Sequence, residues 1–152
     1  MMITGLIARA LQMSTPLLLG SLAEVFVERT GVMNMAIEGI FLMGAWGGFV
    51  GAYLTKSLFW GLMLAMAVGV AIGAVYAYIT VKLKQHQIVT GVALNILSAG
   101  ISVYLYRMLF GVPIIPLTVD SLRRIPIPLL SRIPVIGPAL FSQNALTYLA
   151  LV

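Results

Sequence analysis

Asn34 and Glu38 stand one helical turn apart at the head of an apolar run, and Asn95 sits in the middle of another. Polar groups at such places are costly inside a bilayer, so each is a candidate for contact with a polar solute on its way across. Each also has a plainer reading. Glu38, about one turn into its helix, is favoured by the positive end of the helix dipole and can bond to local backbone. Asn95 has Gly91 and Ala99 four residues to either side and Ser98 and Ser102 nearby, which suits a hydrogen bond between helices. Asn34 is simplest as a helix cap. Glu24 and Glu28, four apart near a helix end, and His86, beyond Lys84, read as wet interfacial groups.

Catalysis has little to work with. The chain has no cysteine and one histidine, which excludes thiol nucleophiles, disulfides, Cys-based metal sites and multi-histidine sites. It holds no GxxxxGK[ST] phosphate loop, no HExxH and no GxSxG elbow. The sequence therefore reads as no enzyme, with no cofactor and no metal, and energy for any active process lies on another chain. Nine basic and four acidic residues give a net charge of +5, spread too thinly to suggest nucleic-acid binding.

The elements that must position the polar groups are membrane helices. Of 152 residues, 61% are apolar and 9% charged, against roughly 25% charged in ordinary soluble domains. A lipid-facing surface accounts for so much apolar sequence. Roughly 20 apolar residues cross a bilayer, and four stretches qualify, at roughly 3–28, 35–55, 57–82 and 87–110. The first is the weakest, interrupted by Arg9, Gln12, Pro16 and Glu24. Gly31 offers a C-cap to it. Six of the seven prolines then fall between Pro113 and Pro138, which predicts a folded loop over 111–142. Residues 143–152 read as the start of a fifth span, cut short. The fold class is all-α, a polytopic transmembrane bundle forming part of a single domain over 1–152.

Small residues predict how the helices meet. Gly61, Ala65, Gly69, Gly73 and Ala77 form an i, i+4 ladder, and Gly44 and Gly48, with Gly47 and Gly51, form another. With little hydrophobic drive between helices in lipid, close backbone approach along such stripes drives association.

Three segments resemble the permease subunits of bacterial ATP-binding-cassette importers for simple sugars and nucleosides. In ERTGVMNMAIEGIFLMGA, Thr30, Gly31, Val32, Asn34, Glu38 and Gly39 match the family's Ser/Thr–Gly–Val and Asn–x–x–x–Glu–Gly signature. QIVTGVALNILSAGISVYLYRMLFG (Gln87 to Gly111) resembles the segment after its first basic cytoplasmic loop. IPIPLLSRIPVIGPALF (Ile125 to Phe141) resembles its Pro-rich external loop, most closely in nucleoside-type members. The resemblance implies a pore-forming subunit in the cytoplasmic membrane. Its partners would be a second permease subunit, two ATPase domains and an extracytoplasmic substrate-binding protein, with a sugar or nucleoside as solute. Asn34, Glu38 and Asn95 would lie nearest the solute path. Family members run to about twice this length, so the chain is expected to be an N-terminal half lacking the ATPase contact. A truncated form that only associates or assembles is the other reading.

The resemblance also orients the chain, with the Lys82–Lys84 loop in the cytoplasm and the Pro-rich loop outside. Charge counting opposes this, because Arg29, Lys82 and Lys84 then lie inside against Arg9, Lys56, Arg107, Arg123, Arg124 and Arg132 outside. The resemblance outweighs the count, because the expected second half would add the family's large basic cytoplasmic loop, so Arg124→Cys is expected to react with an impermeant thiol reagent added to intact cells. Protection from it would reverse the orientation.

Overall fold

The computed structural model describes residues 2–112, 117–119, 124–126, 142–144 and 147–148. Four helices carry the fold: α1 (Met2–Glu28), α2 (Ile37–Thr55), α3 (Leu58–Ala77) and α4 (Gln87–Phe110). A π-helical turn, Tyr78–Lys82, continues α3. Each of the four is long and apolar enough to cross a membrane, as an all-α membrane bundle requires. The chain divides into two compact units, Met1–Val25 with Ser121–Val152, and Phe26–Asp120.

In the first unit α1 accommodates Pro16, whose ring removes one helical N–H. Just before it, the hydroxyls of Ser14 and Thr15 both bond the Leu11 carbonyl at 3.0 Å. Thr15 also pairs with Thr147 through their hydroxyls at 3.2 Å, and both residues are buried. Two short strands add to the helices: β1 (Arg124–Pro126) pairs antiparallel with β2 (Ser142–Asn144). Of the fifth span expected over 143–152, residues 143–144 are extended and 147–148 helical. The rest of it, and most of the Pro-rich loop, lie outside the described residues.

The second unit is a three-helix packing with α2 at its centre. Its buried residues, Gly39, Met43, Gly47, Val50, Gly51 and Ala52, repeat at helical spacing. Helix α3 runs antiparallel to α2 after a tight turn in which Lys56 takes φ 52°. The two backbones nearly touch: a Cβ on Gly51 would stand 3.0 Å from Gly61 Cα, and one on Gly47 3.0 Å from Val68 Cγ2. Helix α4 runs parallel to α2. Gly39 bonds Asn95, Phe49 packs on Tyr106 and Tyr53 on Phe110, so contacting residues differ in number by 56 or 57 throughout. Phe49, Tyr53, Tyr106 and Phe110 close one end as a cluster with ring centroids 5.1–6.0 Å apart.

Outward, the helices stay apolar. The Leu58–Lys82 span has mean hydropathy 2.2 and is almost entirely unburied, the pattern of a helix that meets lipid or further membrane segments rather than water.

Candidate functional site

The polar candidates converge where α2 begins. The chain turns at Gly31, whose φ of 81° suits glycine, and Thr30 and Gly31 donate back to Val27 and Glu28 at 2.9 Å. A further five residues then run without regular helix before α2 starts at Ile37, two residues later than the sequence suggested. This stretch packs inward through Ala36, while the Met33 and Met35 side chains stay exposed. Ala36 is fully buried and forms a core with Tyr76, Leu94 and Val32.

Irregular backbone at this depth is tolerated only where its N–H and C=O groups find partners within the protein. Here they find side chains from two other helices. Met33 N–H donates to Gln87 Oε1 at 2.8 Å. The Tyr76 hydroxyl donates to the Met33 carbonyl, and Met35 N–H lies 3.4 Å from the same hydroxyl. Asn95 Nδ2 donates to the Met35 carbonyl at 3.0 Å, while its Oδ1 accepts from Gly39 N–H at 2.8 Å. Gly91, one turn before Asn95, lets α4 approach: a Cβ there would fall 2.6 Å from the Met35 carbonyl carbon.

The three candidates thus meet in one neighbourhood but are placed differently. Asn34 does not cap α2. Ala36 holds the N-cap position, and Asn34 Oδ1 accepts from Ala36 N–H at 3.2 Å, two residues on, as in an Asx turn. The Gly39 N–H, which an N-cap side chain would serve, is taken by Asn95 Oδ1 instead. Asn95 is half-buried and both of its amide atoms are engaged with the backbone leading into α2. Glu38 is exposed, and it makes no hydrogen bond or ion pair among the described residues. Its neighbour Gly39 is level with Asn95, eight residues into α4, or about 12 Å along that helix.

The packing glycines separate as well. Gly61 is the tightest, with a Cβ there meeting Ala52 Cβ at 2.8 Å and the Gly48 carbonyl at 2.9 Å. Gly48 and Gly44 face Ala65 at 3.3 and 3.6 Å. Among the described residues, Gly69 and Gly73 face only the Ile40 side chain, at 3.7 and 3.9 Å.

Sequence reasoning missed Tyr76 and Gln87, which carry no local signal of their partners 43 and 54 residues away. It also missed a groove between α2 and α4 lined by Leu42, Trp46, Phe49, Ser102, Tyr106 and Arg107. The Trp46 indole nitrogen is buried with no hydrogen-bond acceptor among the described residues.

Four apolar helices, with side-chain amides spent on backbone at depth, define a multi-pass membrane protein. The chain belongs to the family described as branched-chain amino acid transport system / permease component, whose pattern matches residues 6–151. Among curated relatives, the Haloferax volcanii protein TsgC13, provisionally named a glucose ABC transporter permease, is 34% identical over 151 residues. That match takes in 97% of this chain and 44% of the relative. The nucleoside ABC transporter permease NupC of Lactococcus lactis is also 34% identical, over 97% of this chain and 48% of its own length. The guanosine ABC transporter permease NupQ of Bacillus subtilis is 32% identical, over 86% and 43%. The chain spans less than half the length of each of these relatives. No solved structure matches it. The family and these relatives are transport permeases, not enzymes, and family and helices together place the chain in the cytoplasmic membrane.

Proposed function

We propose that this chain supplies part of the solute path of an ATP-binding-cassette permease that carries a nucleoside or simple sugar across the cytoplasmic membrane. The observation that carries the reading is Glu38, an exposed carboxylate well inside the length of its neighbour α4, with no partner among the described residues. Ionisable groups at membrane depth face a protein interior or a water-filled cavity, since lipid offers a carboxylate nothing. An ionised carboxylate only accepts hydrogen bonds. Ribose and hexose hydroxyls are donors, and they are common to nucleosides and sugars alike. Asn34, four residues earlier, adds an amide close by in the chain. Relatives named for nucleoside, guanosine and glucose transport support the same solute classes.

In this reading the chain's helices line one side of a path that opens alternately to either face. A second permease subunit would line the other, two ATPase domains would drive the switch, and an extracytoplasmic binding protein would deliver the solute.

Removing the carboxylate should weaken solute binding. A hydrogen bond to a charged group contributes about 1.5–3 kcal/mol, so Glu38→Gln is expected to raise KM for uptake roughly tenfold to a hundredfold. The measurement is uptake of labelled guanosine, uridine and glucose by cells making the complete transporter, normalised to permease in the membrane. Unchanged KM for all three in both Glu38→Gln and Glu38→Ala would remove Glu38 from the path.

A further inference from the structure

We propose that Tyr76, Gln87 and Asn95 act together as positioning residues: a clasp that keeps the stretch before α2 unwound and thereby aims Asn34 and Glu38 at the solute path. The second half of this statement rests on the path reading of Glu38; the clasp itself does not.

The local sequence does not require the break. Beyond Gly31, the stretch reads Val32–Met33–Asn34–Met35–Ala36, and methionine and alanine are good helix formers. Continued winding would satisfy the same backbone groups along the chain. Instead they are taken by Gln87 on Met33 N–H, Tyr76 on the Met33 carbonyl and Met35 N–H, and Asn95 on the Met35 carbonyl and Gly39 N–H. Every one of these contacts is to backbone, so the clasp selects a conformation and not a side chain.

Its members come from α3 and α4, and they grip on both sides of Asn34 and immediately after Glu38. Tyr76 is 3% exposed and Ala36 fully buried, so the Tyr76 side of the grip is shielded from water, while the bonds of Gln87 and Asn95 lie nearer the surface. Were the stretch to wind into α2, Asn34 would turn with it, by about 100° for each residue added. The direction of both solute-facing candidates is therefore set by residues that need not touch the solute.

The 152 residues contain no cysteine, so a single thiol can report on the clasp in the complete transporter. Ala36→Cys places that thiol at the fully buried position, in a transporter otherwise free of cysteine. In this background a small water-soluble maleimide is expected to react slowly. Adding Tyr76→Phe, which loses the hydroxyl, or Gln87→Leu, which loses the acceptor, is expected to raise the reaction rate at least tenfold. Gln87→Glu, which keeps the acceptor, is expected to stay slow.

Uptake supplies the second readout. Tyr76→Phe is expected to raise KM by about as much as Glu38→Gln does, and the double variant to be no worse than either alone, because both act through one group. An unchanged labelling rate in both Tyr76→Phe and Gln87→Leu would overturn the clasp, whatever Glu38 does. Faster labelling with KM unaltered in Tyr76→Phe, or with KM effects that multiply in the double variant, would overturn the positioning role. Failure of the Glu38 variants alone tells against the path reading and is visible separately from both.

Discussion

Gly91→Ala is expected to destabilise the protein severely, although it adds a single methyl group to a helix. A Cβ at this position would lie 2.6 Å from the carbonyl carbon of Met35 and 2.9 Å from its Cα. Those atoms belong to the backbone stretch that Tyr76, Gln87 and Asn95 hold in place, so they cannot swing aside as a flexible side chain would. Relief requires α4 to move away from α2. That movement would stretch both hydrogen bonds of Asn95 and leave Met35 and Gly39 backbone groups unpaired in an apolar setting. Overpacking alone costs about 1–3 kcal/mol, and each unpaired group adds about as much again.

Gly100 on the same helix is the control. A Cβ there meets nothing within 4 Å among the described residues, and alanine is favoured over glycine inside a helix by roughly 0.5–1 kcal/mol. Thermal unfolding of the purified protein in detergent should therefore show Gly91→Ala far below the parent and Gly100→Ala level with it or slightly above. Equal midpoints for the two variants would show that α4 does not approach the stretch before α2 as described.

Gly61→Ala is the second substitution with a large expected effect, and it tests the other seam of α2. The new methyl would meet Ala52 Cβ at 2.8 Å, the Gly48 carbonyl oxygen at 2.9 Å and Ala52 N at 3.1 Å. Two of the three are backbone atoms, so α3 must withdraw from α2, and the contacts from Gly44 to Gly51 loosen with it. A loss of about 2 kcal/mol is expected. Gly73→Ala, twelve residues along the same ladder, should cost nothing measurable, since its methyl meets only Ile40 Cδ1 at 3.9 Å. Ala52→Gly should recover part of the loss in Gly61→Ala, leaving the share due to the Gly48 carbonyl. Similar losses for Gly61→Ala and Gly73→Ala would mean that the seam is uniform along its length, contrary to the geometry.

These two positions mark how far the sequence could be read. The ladder from Gly61 to Ala77 was visible as spacing, because small residues four apart must share one face of a helix. Spacing could not show that α2 presses hardest at Gly61 and leaves Gly73 room, since that depends on how the two helix axes diverge. Asn95 was visible as a polar residue amid apolar neighbours, and both a bond between helices and a solute contact suited it. The structure shows both of its amide atoms on the backbone leading into α2. Asn34 was visible as a cap and became an Asx turn: α2 starts after Ala36, and the Gly39 N–H that a cap would serve is taken by Asn95 from another helix.

By itself, the sequence determined that the chain lives in a membrane, that four stretches are long and apolar enough to cross it, and which permease family it belongs to. These follow from properties that add up along the chain: apolar length against bilayer thickness, small residues at helical spacing, and a run of motif residues close together. Tertiary structure alone decided that the second helix begins late, that Tyr76, Gln87 and Asn95 hold its approach open, and that Glu38 is left without a partner among the described residues. Those outcomes depend on pairs 41 to 60 residues apart. The backbone they engage has no side-chain identity to leave a mark in sequence, and its demand for hydrogen bonds in an apolar medium is met by whichever groups the packing brings within reach.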